Sequence, residues 1–138
     1  MNKPVKHHTI LWADDDLDDL MVMREVLGDI DSSHEIIEVD NGRKVLDYLH
    51  RAKLGNRFPC LIVLDMNMPI LSGRDTLIAL KADPLLSKIP VVIFTTSSSE
   101  KDRLFCQQYG VDMMTKPLTF LGMKEVVVKL FNLCAMAV

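Results

Sequence analysis

Leu61, Ile62, Val63 and Leu64 run without a polar interruption straight into a carboxylate, Asp65. Four apolar, partly β-branched residues with no alternation read as a strand buried on both faces, as in a parallel sheet. Asn67 and Pro69 mark a turn behind it, and Gly73 closes the loop. An acid at the C-terminal end of a buried parallel strand stands where open α/β sheets bind and process ligands. A plainer role, capping the loop through its side chain, suits Asp65 equally well at this point.

On either side of this stretch, short apolar runs alternate with amphipathic helical patterns. A first strand is predicted over about His8 to Ala13, followed by Asp14, Asp15 and Asp16. A helix from about Leu17 to Leu27 comes next, with Leu20, Met23, Leu27 and Ile30 at spacings of three and four and Gly28 as its predicted C-cap. Glu35 to Val39 is a second, weaker strand, and Asp40, Asn41 and Gly42 turn into a second helix with Val45, Leu46 and Leu49 on one side. Arg51 to Pro59, containing Gly55 and Asn56, reads as a polar connection and the most mobile stretch. After the third strand come a helix over about Arg74 to Ala82 and a fourth strand over Ile89 to Thr95. Ser99 with Asp102 resembles a capping box and starts a helix that Gly110 ends. Asp112 to Thr115 is a short fifth strand, and Thr119 begins a last helix with Met123, Val127, Leu130, Phe131 and Cys134 on one face. Five βα units with short connections imply an α/β fold: a doubly wound parallel sheet with helices on both faces, in the flavodoxin-like order 2-1-3-4-5.

The chain's 138 residues suffice for one domain with a real core, without metal or disulfide staples. A net charge of −3 gives no basic footprint for nucleic acid. No apolar run approaches membrane-spanning length, and the first ten residues lack the apolar region of a secretion signal. Cys60, Cys106 and Cys134 are odd in number, lack metal-ligand spacing and fall in apolar segments, so they are expected to be reduced and buried, which fits the cytoplasm.

In such a sheet every strand's C-terminal end points to one edge. The first strand ends in Asp14 and Asp15, the third in Asp65, the fourth in Thr95 and the fifth in Lys116. With the first and third strands adjacent, three carboxylates meet, and like charges so close are costly unless a cation compensates them. Oxygen-only donors, with no His or Cys nearby, select a hard cation, Mg²⁺ or Mn²⁺. Lys116 and Thr95 add a positive charge and a hydroxyl, which together suit attachment of a phosphoryl group to an exposed carboxylate. Taken singly, each residue has an ordinary structural reading, and Asp16, Asp18 and Asp19 are read as complementing the dipole of the first helix. His7, His8, His34 and His50 are scattered without ligand spacing and are read as structural or solvated.

Four pieces in order, ADDD from Ala13, LDMNMP from Leu64 with Gly73 after it, FTTSS from Phe94 and TKP from Thr115, resemble a response-regulator receiver domain of two-component signalling, the CheY-like family. The similarity spans about His8 to Cys134. It implies that Asp65 is the phosphoacceptor, served by a histidine kinase or a histidine phosphotransfer protein. It also implies that Asp15, Asp65 and the Asn67 backbone carbonyl ligate Mg²⁺ while Asp14 acts through water. Lys116 and Thr95 would bind phosphoryl oxygens, Asn67 and Ser97 would tune phosphoryl lifetime, and the Lys116–Pro117 peptide would be cis.

One position departs from the family pattern. Met113 stands where an aromatic switch is usual, which puts the usual coupling to the output face in doubt. With about twenty residues after Lys116, the expectation is a stand-alone receiver without an output domain, monomeric or homodimeric and signalling to an unidentified protein. The wording of VLDYLHR and VVIFTTSSSEKD resembles receivers that partner bacterial phytochrome-type histidine kinases. Such a chain modifies itself and is not expected to be an enzyme. Rival readings are a haloacid-dehalogenase-type phosphohydrolase, whose second Asp is Asn67 here, and a pseudo-receiver that binds partners without phosphorylation. A flavodoxin fits less well, because carboxylates stand where a flavin phosphate needs donors.

Overall fold

The apolar runs do form one parallel sheet. The structure is a computed structural model that describes residues 9–30, 34–97 and 99–136. Its elements are β1 (Thr9–Ala13), α1 (Leu17–Asp29), β2 (Glu35–Val39), α2 (Gly42–Gly55) and β3 (Leu61–Leu64), followed by α3 (Gly73–Ala82), β4 (Val91–Thr95), α4 (Glu100–Gln108), β5 (Asp112–Thr115) and α5 (Phe120–Met136). All neighbouring strands are parallel, in the order β2-β1-β3-β4-β5 that the sequence predicts.

Period-two alternation sorts the strand residues between two cores. Leu11, Ala13, Ile62, Leu64, Val91 and Ile93 face α2, α3 and α4, packing against Val45, Leu49, Leu77, Leu80 and Phe105. Ile10, Trp12, Leu61, Val63, Val92 and Phe94 face α1 and α5, against Leu20, Met23, Val26, Val127 and Leu130. Trp12 and Phe94 meet edge to face across β3, with ring centroids 5.6 Å apart. β3 is therefore covered on both sides, which is why its four residues show no alternation of polarity.

Several boundaries differ from expectation for local reasons. Helix α1 continues through Gly28 to Asp29 and leaves by an extended Ile30, so Gly28 is not the cap. An ion pair from Lys124 to Asp29 at 2.7 Å ties this last turn to α5. Helix α2 runs on to Gly55, because Arg51, Ala52, Lys53 and Leu54 are good helix formers. Asn56 ends it in the left-handed conformation (φ 53°), and most of the expected connection becomes helix. A single 3₁₀ turn, Leu86–Lys88, and Pro90 shorten β4 to Val91–Thr95. The capping by Ser99 is as expected, its Oγ accepting from the Asp102 N–H.

Two further expectations are overturned. The Lys116–Pro117 peptide is trans, since there is no cis bond among the described residues; trans is the intrinsic preference even before proline. Cysteines 60 and 134 form a disulfide and only Cys106 is free, so the three are not uniformly reduced. Cys60 precedes β3 and Cys134 lies on the sheet-facing side of α5. Their Cα atoms come within 5.1 Å, inside the span a disulfide bridges. His7, His8 and Ser98 of the sequence reading lie outside the described residues. His34 stacks on Phe131, in keeping with a structural role. Among the described residues no helix is long and apolar enough to cross a membrane.

Gly73, the first residue of α3, packs directly on the backbone that follows β3. A Cβ there would meet the Asp65 carbonyl oxygen, stand 2.8 Å from its carbon and 2.9 Å from the Met66 Cα. Backbone atoms cannot swing aside as a flexible side chain can. Gly73→Ala is expected to lower stability by about 1–3 kcal/mol, read as a lower urea midpoint with an unchanged slope.

Candidate functional site

The strand order sets the carboxyl ends of β1, β3, β4 and β5 along one edge of the sheet. At three of them the ladder extends one residue beyond the strand. The Asp14 N–H donates to the Val39 carbonyl, the Asp65 N–H to the Ala13 carbonyl and the Lys116 N–H to the Thr95 carbonyl, at 3.0, 3.0 and 2.9 Å. The backbone carrying each side chain is thus fixed by its neighbour strand.

Asp14, Asp15 and Asp65 each offer a carboxylate oxygen, and these atoms lie within 4.8 Å of one another. Asp14 and Asp65 are buried and Asp15 is exposed. The Lys116 amine, itself buried, lies 2.7 Å from Asp14 Oδ2, 2.9 Å from Asp65 Oδ2 and 2.7 Å from Asp19 Oδ2. It donates hydrogen bonds to Asp65 and Asp19. Its contact with Asp14 is an ion pair outside hydrogen-bond alignment, which leaves Asp14 Oδ2 buried with no hydrogen-bond partner.

Burial pushes the Asp14 carboxyl up to about 6, outweighing the opposing pull of Lys116 and of the Asp16 N–H. For Lys116, burial by itself would lower the amine's affinity for its proton. Contacts with Asp14, Asp19 and Asp65 reverse that and hold it above the usual lysine value. Lys116 is therefore a fixed cation, and Asp14 is the strained member of the cluster.

These groups suit a hard divalent cation on two grounds: an oxygen-only donor set, and a buried Asp14 oxygen whose one close partner, Lys116, meets it as an ion pair without a hydrogen bond. Thr95 is buried at the end of β4, and its Oγ1 accepts from the Ser97 N–H at 3.2 Å. Asn67 is exposed in the loop after Asp65. Ser97 Oγ donates to Asp102 Oδ2 at 2.6 Å, and Arg74 holds Oδ1 of the same carboxylate at 2.7 Å. Met113 is half-buried and packs into the core under α2, α3 and α4.

One residue at this edge, Asp19, is not singled out by the sequence pattern. Asp16 is indeed the N-cap of α1, accepting from the N–H groups of Asp18 and Asp19, and Asp18 is exposed. Asp19, grouped with them, instead reaches Lys116. Its position in the first turn of α1, directly after the site's own acids, was the available sign, but a dipole-complementing acid occupies the same place.

A family model for the response regulator receiver domain matches residues 10–129. Response regulator Rcp1 of Synechocystis is 36% identical over 95 residues, 67% of this chain and 65% of that one. Chemotaxis protein CheY of Pseudomonas aeruginosa is 30% identical over 124 residues, 89% of this chain and 95% of that one. Among solved structures, the phosphorylated cyanobacterial phytochrome response regulator RcpA superposes with a TM-score of 0.83 at 29% identity, covering 96% of this chain and 97% of that one. A response regulator in red light signaling of R. palustris, RPA3017, gives 0.78 at 28%, covering 90% and 91%. The Mn²⁺-bound form of Rcp1 gives 0.76 at 31%, covering 86% and 91%. This chain belongs to the response-regulator receiver family of two-component signalling, with the CheY-like fold. Its match spans 65% of Rcp1 but only 37% of chemotaxis protein CheV2 of Helicobacter pylori.

In the metal-free chain Asp14 binds its proton more tightly folded than unfolded, with an affinity near pH 6 against 3.8 for the free carboxyl. Its contribution to stability is therefore present at low pH and is lost as pH rises from about 4 to about 6. With EDTA present, Asp14→Asn is expected to unfold at higher urea than the parent at about pH 8, by on the order of 2 kcal/mol. The gap should close below about pH 4. A gap that widens on acidification would contradict the assignment.

Proposed function

We propose that the chain takes up a phosphoryl group on Asp65, in a Mg²⁺-dependent transfer from the phosphohistidine of a histidine kinase or a histidine phosphotransfer protein. The observation that carries this reading is the convergence of one fixed ammonium and two further carboxylates on the Asp65 carboxylate. Asp14, Asp15 and Asp65, with the Asn67 backbone carbonyl, would hold the cation. When bound, it neutralises the acidic cluster and the charge on the incoming phosphoryl oxygens. Mn²⁺ suits the same donors, and Rcp1 has a Mn²⁺-bound form.

An Asp65 oxygen attacks phosphorus in line as the phosphorus–nitrogen bond breaks. The electron pair leaves with the imidazole. Lys116, which donates to Asp65 Oδ2 at 2.9 Å, exchanges that contact for a phosphoryl oxygen. The Thr95 hydroxyl, whose oxygen already accepts from Ser97, keeps its own proton to donate to another phosphoryl oxygen. Asn67 and Ser97 border the site and bear on how long the acyl phosphate survives attack by water.

The product carries roughly −1.5 to −2 of added charge. A small shift of Thr95 and Lys116 toward it biases a surface that a partner protein reads, or the group passes on to another protein. The chain acts in the cytoplasm as a signalling domain that modifies itself, not as a turnover enzyme. The similarity to RcpA, a cyanobacterial phytochrome response regulator, and to RPA3017, which acts in red light signaling, favours a phytochrome-type histidine kinase as the donor. A phosphohydrolase reading is disfavoured by Asn67, whose amide cannot serve as the second acid.

Incubation with acetyl phosphate and Mg²⁺, followed by intact mass, is expected to show gain of one phosphoryl group. EDTA or Asp65→Asn should abolish it. Sustained phosphate release from small esters, or no mass gain by the parent chain, would refute the reading.

A further inference from the structure

Helix α1 sends one carboxylate into the site for which the transfer just described has no task. Asp16 caps the helix by accepting from the Asp18 and Asp19 N–H groups at 2.9 and 3.2 Å, so two orphan donors of the first turn are already served without Asp19's side chain. Asp18 is exposed. Asp19 is half-buried, and its Oδ2 accepts a hydrogen bond from the Lys116 ammonium at 2.7 Å.

We propose that Asp19 is a positioning residue for Lys116, anchoring the ammonium at the site's edge while its other two partners are in use. This rests on Asp65 being the phosphoacceptor. Of the three carboxylates that Lys116 touches, Asp65 is the reacting group and Asp14 belongs to the acidic triad that would hold the cation. Asp19 stands outside that triad. It can therefore keep its contact with Lys116 before and after the phosphoryl group arrives.

A lysine stem has four rotatable carbons, so a lone ammonium is a poorly fixed point charge. An ammonium also has three protons to share. With Asp19 taking one, Lys116 can release the Asp65 oxygen without leaving the site. Without Asp19, the ammonium turns wholly onto Asp14 and Asp65, whose oxygens the cation and the phosphoryl group need. Loss of Asp19 thus weakens cation binding and slows phosphoryl uptake together. A dipole-complementing acid would do neither, and Asp18, in the same helical turn, supplies the comparison.

The test compares the full chain with Asp19→Asn, Asp19→Glu and Asp18→Asn. In metal-free protein labelled with ¹⁵N-lysine, the parent is expected to show a slowly exchanging Lys116 ammonium signal, and Asp19→Asn to lose it. With acetyl phosphate and Mg²⁺, Asp19→Asn should take up phosphoryl about ten- to a hundredfold more slowly, the worth of one charged hydrogen bond. Its Mn²⁺ affinity, titrated without donor, should fall by a similar factor. Asp19→Glu should recover part of both, and Asp18→Asn should match the parent. A parental rate and parental Mn²⁺ affinity in Asp19→Asn, or equal losses in Asp18→Asn, overturn the proposal. If the parent takes up no phosphoryl group, the reading of Asp65 fails instead, and the anchoring of Lys116 by Asp19 is decided by the ammonium signal alone.

Discussion

One buried ammonium balances the acidic edge of this sheet. Lys116 lies within 2.9 Å of carboxylate oxygens from α1, from the end of β1 and from the end of β3, so it links three separate segments through charge. Burying a carboxylate at the mouth of a sheet costs free energy, and Asp14 registers that cost as a carboxyl pushed up to about 6, the neighbouring Asp65 charge adding a smaller push. A single positive charge offsets only part of the cluster's charge. The remaining negative charge, shared among oxygen donors alone, is what makes the cluster suited to a cation.

Positioning is done by backbone as much as by side chains. The Asp14, Asp65 and Lys116 amides each donate to a carbonyl on the neighbouring strand, so this edge inherits the stiffness of the ladder. Gly73 lets the start of α3 press against the Asp65 and Met66 backbone, and its N–H donates to the Met66 carbonyl at 3.0 Å. The loop carrying Asn67 is therefore held at both ends while Asn67 itself stays open to solvent. Within that loop Ile70 is exposed with φ at 69°, a conformation that costs a β-branched residue roughly 1–2 kcal/mol. Rigid support beneath an open, locally strained loop suits the proposed transfer, in which a donor protein would reach Asp65.

The other end of the site is tied differently. Ser97 Oγ, Asp102 and Arg74 form a polar chain between the β4–α4 connection and α3, and the Arg74 guanidinium sits 4.3 Å over the Phe105 ring. Ser97 also donates its N–H to the Thr95 hydroxyl. Any shift of Thr95 toward Asp65 must be felt by this chain. Met113, where the family usually has an aromatic ring, packs into the core beneath the same helices and brings flexible apolar volume without a ring face or a hydroxyl.

Much of this was legible in the residues themselves. Apolar runs ending in Asp14, Asp65, Thr95 and Lys116, separated by helical periods, determined the parallel sheet, its strand order and the shared edge, because parallel connections leave few topologies open. Boundaries set by competition between neighbours were less legible: the run of helix formers through Leu54 and the αL Asn56 extended α2, and Gly28 stayed inside α1. Only the tertiary structure decided that Asp19 joins Lys116, that Cys60 meets Cys134 and that Lys116–Pro117 is trans. The physical reason is common to the first two. Local pattern fixes which face a residue occupies, whereas a contact across 97 or 74 positions depends on how helices dock on the sheet, and that is set by the packing of the whole core.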